Sequence, residues 1–264
     1  MRDAVPVFTE VVRQHRRSFL VWSLALAGVS AMYLSFYPSL GGDALDDLVA
    51  DLPEELVSVL GYDRIGTAGG WVTSTVYGLL GPTLLLVFAI TVGARLIAGE
   101  EEAGTIELEA STPLSRARLL SERAAALTVL VVGLVSVVTV VCWVFITALN
   151  MDVAFNHLLA GSAGLLLFGL GFGLTAFGVG AATGNKSIAV GVATGLAVLA
   201  FILDALGPVV DVQLMSEISP FYWYLGQDPL IEGFDWFGLA KLATIPPLAV
   251  AGGLTMFRSR DLQL

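Results

Sequence analysis

Cysteine and charge are both scarce in this sequence. Among its 264 residues there is one cysteine, Cys142, and only 14% of the residues are charged. A single cysteine cannot build an intrachain disulfide framework, and because Cys142 lies inside an apolar run we interpret it as a small buried hydrophobe. Basic residues number 13 against 23 acidic ones, and the net charge is −10. No basic stripe is present to neutralise phosphates, which argues against a nucleic-acid partner.

Catalytic and metal-binding signatures are also lacking. His15 and His157 have no second histidine or cysteine at ligand spacing, so we expect no metal site and interpret both as interface residues. Residues 178–187 read GVGAATGNKS, which is close to a phosphate-binding loop. That motif needs Gly, Lys and Ser or Thr in direct succession after a strand, whereas Asn185 separates the glycine from the lysine here. We therefore expect no catalytic residue in this chain, and we interpret Gly184 as a helix C-cap.

Apolar residues, in contrast, are abundant. The sequence is 56% hydrophobic with a mean hydropathy of +0.83, more than a soluble domain of this size can bury. A bilayer core about 30 Å thick needs about 20 apolar residues in a helix, and continuous runs without period-two alternation exclude membrane strands. The sequence thus predicts an all-α integral membrane protein, with a single transmembrane domain over residues 1–264. The six predicted spans are 18–37, 71–95, 124–149, 158–182, 188–207 and 237–257.

Basic residues are distributed unevenly between the connections that join these spans. Only Arg64 and Lys241 fall on one side of the membrane, and the other eleven fall on the opposite side. Because Lys and Arg accumulate in cytoplasmic loops, both termini and the loop at 96–123 are predicted to be cytoplasmic. The eleven residues are Arg2, Arg13, Arg16, Arg17, Arg95, Arg116, Arg118, Arg123, Lys186, Arg258 and Arg260.

The connection between the first two spans is acidic and amphipathic. Over residues 43–60 leucines recur at helical spacing while Asp and Glu fill the other face. This pattern predicts an external helix that lies along the membrane surface, with Pro53 kinking or splitting it. Two interpretations stay open for this helix, a solvated cap over the spans and a substrate gate.

Ionisable residues are nearly missing from the predicted spans. Only Asp204 and Lys241 come close, and both should lie near the outer surface, where snorkelling lowers their cost. They could pair with each other, and a proton-relay or ion-binding role is the functional alternative. The lack of other buried charge counts against an ion-coupled carrier.

Glycines in the spans form GxxxG pairs. Gly169 and Gly173 have this spacing in the fourth span, and Gly191 and Gly195 have it in the fifth. Such pairs let helix backbones approach closely in lipid. Packing within the bundle is the simpler interpretation, and a homodimer contact through the fifth span is the alternative.

Charge concentrates instead between the second and third predicted spans, where residues 94–123 read ARLIAGEEEAGTIELEASTPLSRARLLSER. A short helix that exposes Ile106 and Leu108 beside glutamates is a good docking surface for another protein. Thr105 is suited to cap that helix, and Pro113 to end it. The following arginines are suited to acidic residues of a partner or to phospholipid headgroups. A simple positive-inside anchor is the alternative interpretation.

The order of motifs in this loop resembles that of ABC-2 type permeases, the membrane subunits of one class of ATP-driven exporters. Acidic residues, Gly-Thr, a short amphipathic helix and Pro-x-Ser-Arg follow one another, although Arg123 stands where the family often has a lysine. Residues 52–61 (LPEELVSVLG) and 219–236 (SPFYWYLGQDPLIEGFDW) resemble its external segments. The likeness is closest to the subgroup with the bacterial nitrous-oxide-reductase maturation permease and many antibiotic-resistance exporters. The matching loop residues are Glu100, Glu101, Glu102, Gly104, Thr105, Ile106, Leu108, Pro113, Ser115, Arg116 and Arg118.

This resemblance implies a functional assignment. It implies two permease chains, identical or related, in a prokaryotic cell membrane, working with two separate ATPase subunits that bind ATP and Mg. The chain itself would bind no cofactor and would couple to the ATPase through residues 100–118. The implied outer gate consists of Leu52, Pro53, Leu56, Pro220, Tyr222 and Trp223. An ion-coupled secondary transporter and a membrane scaffold or sensor without transport stay open as alternatives.

Overall fold

The computed structural model describes residues 7–40, 64–103, 116–209 and 212–259. Within these ranges every regular element is helical. In chain order the elements are α1 (Val7–Ser35), α2 (Tyr37–Leu40), α3 (Ala68–Val72), the π-helical turn π1 (Thr73–Tyr77), α4 (Leu80–Ala94), the π-helical turn π2 (Arg95–Gly99), α5 (Glu100–Glu102), α6 (Arg116–Ala148), α7 (Phe155–Thr183), α8 (Lys186–Val209), α9 (Gln213–Glu217), α10 (Pro220–Leu225), α11 (Pro229–Glu232) and α12 (Trp236–Ser259).

Six helical stretches of the described residues are long and apolar enough to cross a membrane, which agrees with the predicted all-helical architecture and with the six predicted spans. We call them spans one to six. They run over Val7–Leu40, Ala68–Glu102, Ala117–Ala148, Phe155–Thr183, Lys186–Gly207 and Trp236–Phe257. The predicted external helix at 43–60 lies outside the described residues and stays a prediction.

The helices are longer than the apolar runs that predicted them. Span one begins at Val7, so its first turns carry Arg13 and Arg16, and helix α6 begins at Arg116, ahead of the apolar run. A hydropathy pattern detects only the part of a helix that lipid can surround, whereas backbone hydrogen bonds continue through the polar turns beyond it.

Span four lies at the centre of the bundle. It packs against spans two, three, five and six, while span one packs mainly against span three. Small residues allow these close approaches: a Cβ added to Gly93 would lie 2.2 Å from the Gly173 carbonyl oxygen, and one added to Gly178 would lie 2.3 Å from that of Ala249. The interpretation of Gly169 and Gly173 as packing residues is therefore confirmed, because Leu85 and Ala89 lie against them.

Span four ends as predicted. Gly184 adopts the left-handed conformation with φ of 66°, and its N–H donates to the Gly180 carbonyl at 2.8 Å. Span five begins at Lys186, so a very short turn joins the two helices. Such a glycine C-cap satisfies a terminal carbonyl that the helix leaves free.

Residues 212–235, which we call the outer segment, join spans five and six at the end of the bundle opposite Glu100. We call this the outer end and the opposite one the inner end, after the predicted orientation.

Helix α10 has Pro220 in its first turn and Ser219 as its N-cap. The Ser219 side chain accepts a hydrogen bond from the Phe221 N–H at 3.0 Å. Phe221 and Tyr224 are buried against Phe168 of span four, with ring centroids 4.9 and 5.3 Å apart. Helix α10 is thus inserted between the ends of the spans.

Candidate functional site

The two flanks of the charged loop are joined by a buried ion pair at the inner end. Arg123 of span three is completely buried, and its guanidinium donates to the carboxylate of Glu100 in span two and to the carbonyl oxygen of Leu96. Loss of Glu100 would cost about 3–5 kcal/mol, because the Arg123 charge would stay buried and uncompensated. The ends of spans two and three are therefore held together where the loop leaves and returns.

The carbonyl that Arg123 binds belongs to the π2 turn. Leu96 lies within Arg95–Gly99, where span two changes from α-helical to π-helical winding just before Glu100. A π turn widens the helix and changes the pattern of its backbone hydrogen bonds, and such turns are frequent at functional sites. The guanidinium thus ties a specialised turn of span two to span three.

A second contact connects the end of span two to span five. The Glu102 carboxylate accepts a hydrogen bond from the backbone N–H of Lys186 at 2.8 Å, and the Asn185 side chain accepts one from the Ile188 N–H at 2.9 Å. Both acceptors satisfy free N–H groups at a helix N-terminus, and the carboxylate also interacts favourably with the helix dipole.

A third contact connects span three to span one. Arg118 and Glu122 form an ion pair of 2.8 Å one helical turn apart, and the second carboxylate oxygen of Glu122 accepts a hydrogen bond from the Phe8 N–H at 3.4 Å. Because Arg118 is largely exposed, the pair itself contributes about 0.3–0.5 kcal/mol. The position of this contact is more informative than its energy. Through Glu122 it links the loop's second flank, at the start of span three, to span one.

The predicted coupling residues fall into two groups. Glu100, Glu101, Glu102 and Arg118 lie at the described flanks, and Arg116 begins α6. The structure finds partners within this chain for Glu100, Glu102 and Arg118, which sequence reasoning did not anticipate. Gly104, Thr105, Ile106, Leu108, Pro113 and Ser115 lie outside the described residues, so the docking helix stays a prediction.

The predicted outer gate is likewise described in part. Tyr222 and Trp223 are half-buried and line an open cavity of about 820 Å³ at the outer end, while Pro220 starts the helix that carries them. Leu52, Pro53 and Leu56 belong to the part of the chain that the structure does not describe. Whether the three helix α10 residues form a gate stays a prediction.

Sequence reasoning missed the residue that anchors helix α10. The buried hydroxyl of Tyr224 donates a hydrogen bond to the carbonyl oxygen of Tyr77 in the π1 turn at 2.9 Å. Burial raises the pKa of the Tyr224 phenol above its usual range, so the group stays a protonated donor. In the sequence SPFYWYLG, Tyr224 is one of several aromatic residues in a row and has no feature that sets it apart. Only the fold shows that its ring is inserted between the ends of the spans.

Beside this anchor lies a small buried polar network. The Ser162 hydroxyl of span four lies 2.8 Å from the hydroxyls of both Tyr77 and Thr139, on spans two and three. A network whose members all have partners stabilises one arrangement of the helices it joins. It holds three spans together beneath the outer segment.

An ion-pair cluster completes the outer contacts. The Arg64 guanidinium, just before span two, lies 3.2 Å from the Glu232 carboxylate and 3.6 Å from that of Asp228.

The suggested pair between Asp204 and Lys241 is not among the ion pairs of the described residues. The Lys241 ammonium lies instead over the rings of Phe237 and Trp223, 4.3 and 5.4 Å from their centroids. The structure contradicts that pairing, because the ammonium is held over these two rings and not beside the Asp204 carboxylate.

The described residues contain no group of three or more His, Cys, Asp or Glu side chains that could hold a metal ion.

A family model described as ABC-2 family transporter protein matches residues 7–225, and no curated protein matches the sequence. The matched range includes five of the six spans, the charged loop and helix α10. The chain therefore belongs to the ABC-2 family of transporter proteins, and it is a multi-pass permease component of an ABC transporter that is not itself catalytic.

Proposed function

We propose that this chain forms the translocation path of an ATP-driven exporter and couples to a separate ATP-binding subunit through residues 100–118. ATP and Mg would bind to that partner, since the sequence contains no adjacent Gly-Lys-Ser or Gly-Lys-Thr of a phosphate-binding loop. Export as the direction, a prokaryotic cell membrane and cytoplasmic termini are parts of the same proposal. They rest on the resemblance of the loop and on the distribution of basic residues.

The observation that carries the proposal is the buried pair of Arg123 and Glu100. If the two flanks of the loop were not connected, a force on the loop would only move the flanks apart. Here the flanks are bound to each other, so a force on the loop acts on spans two and three as one unit. Glu102 and Glu122 extend the connection to spans five and one. Closure of the ATPase would then move these spans as rigid bodies and change access to the path.

A second permease chain is also part of the proposal. Span five exposes an apolar face on which a Cβ added to Gly191 or Gly195 would meet no atom within 4 Å. Val192 and Leu196 are exposed near them. Small residues on an open face allow close packing of another helix in lipid. We assign this face to a second copy or a related chain, with one ATP-binding subunit for each.

Co-purification with the ATP-binding subunit tests the coupling. Leu108→Asp or Glu101→Lys should each lower recovery of the subunit and stimulation of its ATPase activity, while the purified permease keeps its thermal transition. Asp152→Lys is the matched control, because this exposed acid lies in the connection between spans three and four, away from the loop. Normal co-purification of both loop variants would disprove the docking assignment.

The energy source separates the proposed exporter from an ion-coupled carrier. Transport by the reconstituted complex should require ATP in the absence of any ion gradient. Transport driven by a proton or sodium gradient without the ATP-binding subunit would instead support the carrier.

A further inference from the structure

The cavity at the outer end lies between the outer segment and the beginning of span six. Its volume is about 820 Å³, and it is open on one side. Aromatic rings and charges of both signs line it together. The residues that matter here are Glu217, Tyr222, Trp223, Asp235, Phe237 and Lys241.

Lys241 supplies a positive charge to this cavity. Its ammonium stacks on Phe237 and Trp223 and makes no ion pair with any residue in the described ranges. The other basic residue of the lining, Arg64, is already paired with Asp228 and Glu232. Lys241 can therefore donate hydrogen bonds to an anionic group that enters the cavity.

Four carboxylates line the same space, and Arg64 pairs with two of them, those of Asp228 and Glu232. Glu217 is exposed and forms no ion pair with a described residue. In Asp235 one oxygen accepts hydrogen bonds from the N–H groups of Phe237 and Gly238, both at 3.0 Å, and caps span six. The second oxygen of Asp235 is left for another donor. The cavity thus offers separate positive and negative sites for one ligand.

Exposed aromatic residues next to the cavity indicate that it opens near the level of the phospholipid headgroups. Trp236 and Phe237, the first residues of span six, are 72% and 71% exposed, and the Trp236 ring stacks on Phe234 with centroids 4.9 Å apart. Exposed aromatic residues at the first turn of a span are typical of the membrane interface. Lys241 lies one turn deeper, and its contact with the Phe237 ring shows the ammonium directed back toward that interface.

We propose that this cavity binds the headgroup of a zwitterionic phospholipid with a primary ammonium, such as phosphatidylethanolamine. The headgroup phosphate would accept hydrogen bonds from Lys241, and its ammonium would donate to Glu217 and Asp235. A purely anionic headgroup would satisfy Lys241 but would approach two carboxylates, and a simple cation would leave Lys241 without a partner and be repelled by it. This site goes beyond the proposed export function and does not depend on it.

Native mass spectrometry of the full chain in detergent tests the site with short-chain phosphatidylethanolamine and phosphatidylglycerol. The parent protein should retain phosphatidylethanolamine preferentially. Lys241→Gln should weaken its binding by about tenfold, the loss expected for one charge-assisted contact, and Lys241→Arg should preserve it. Glu217→Gln should weaken phosphatidylethanolamine but not phosphatidylglycerol. Lys186→Gln, at the inner end of span five, is the matched control and should bind as the parent does.

Equal retention of the two lipids by the parent, or unchanged phosphatidylethanolamine binding in Lys241→Gln, would overturn the proposal. Glycerophosphoethanolamine, which has the same headgroup without acyl chains, should compete only at concentrations at least about tenfold above the lipid's, because burial of acyl chains adds affinity. Competition at equal concentration would assign the cavity to a soluble phosphodiester. None of these measurements requires the ATP-binding subunit, so their failure would leave the coupling proposal standing.

Discussion

The Tyr224 hydroxyl donates a hydrogen bond to the Tyr77 carbonyl oxygen at 2.9 Å, which holds the outer segment against the π1 turn of span two. At the inner end of the same span, Arg123 donates to the Leu96 carbonyl in the π2 turn. Each π turn is therefore held by a side chain from another element, with helix α4 between them. Span two connects the charged loop at one end with the outer segment at the other.

The first prediction concerns the buried ion pair. Arg123→Gln should lower the free energy of unfolding by about 1–3 kcal/mol, because the partly exposed Glu100 carboxylate and the Leu96 carbonyl then lose their donor. Thermal unfolding in detergent measures this. Arg118→Gln is the matched control, and since that arginine is largely exposed its loss should cost less than about 1 kcal/mol. A double change, Arg123→Met with Glu100→Leu, should recover part of the loss because no charge is left buried. Equal effects of the two arginine variants would contradict this account.

A second prediction concerns the anchor of the outer segment. Tyr224→Phe keeps the buried ring but removes the donor to the Tyr77 carbonyl, so the free energy of unfolding should fall by about 1–3 kcal/mol. Hydrogen exchange should also rise in helix α10 and in the π1 turn. Tyr222→Phe serves as the comparison, because that hydroxyl only accepts an exposed hydrogen bond of 3.3 Å from the Gln227 side chain. If exchange changed equally in both variants, the anchor would not lie at Tyr224.

A third prediction compares glycines at packed and open positions. Gly178→Ala should destabilise the bundle by about 1–3 kcal/mol, because the new Cβ would lie 2.3 Å from the Ala249 carbonyl oxygen and would push span six away. Gly191→Ala should be tolerated in the single chain, since nothing lies within 4 Å of its Cβ position. Size-exclusion profiles and thermal transitions of the two variants provide the measurement. Similar losses in both would show that the Gly191 face of span five is packed against another helix, within the chain or in a second copy.

A fourth prediction tests the orientation in the membrane. In a Cys142→Ser background, Ala50→Cys should react with an impermeant thiol reagent added outside intact cells, and Ala110→Cys should react only after the cells are opened. The basic residues are the reason, since eleven of the 13 lie on the side assigned to the cytoplasm. Cys142 is buried, so its replacement removes background without exposing a new surface. The reverse labelling pattern would invert the inner and outer ends.

The sequence predicted the spans well because their signal is local. About twenty apolar residues in succession identify a membrane helix without reference to any other part of the chain. Five of the six predicted runs lie within observed spans, and the run 124–149 extends one residue beyond the end of span three. The Gly184 cap was predicted for the same reason, since a left-handed C-cap depends only on adjacent residues. The π turns were not predicted, because periodicity does not distinguish one wide turn inside an apolar helix.

The sites depend on contacts between distant residues, and there the sequence was less informative. Arg123 stood out as a cation near a predicted membrane surface, but its burial and its pairing with Glu100 follow from how spans two and three meet. The suggested pairing of Asp204 with Lys241 rested on their similar depth, whereas in the fold the rings of Trp223 in helix α10 and Phe237 in span six lie beside Lys241. Hydropathy and charge distribution are properties of consecutive residues and therefore predict the number of helices and their polarity. Hydrogen-bond partners depend instead on which helix ends pack against each other, and only the folded bundle brings those ends into contact.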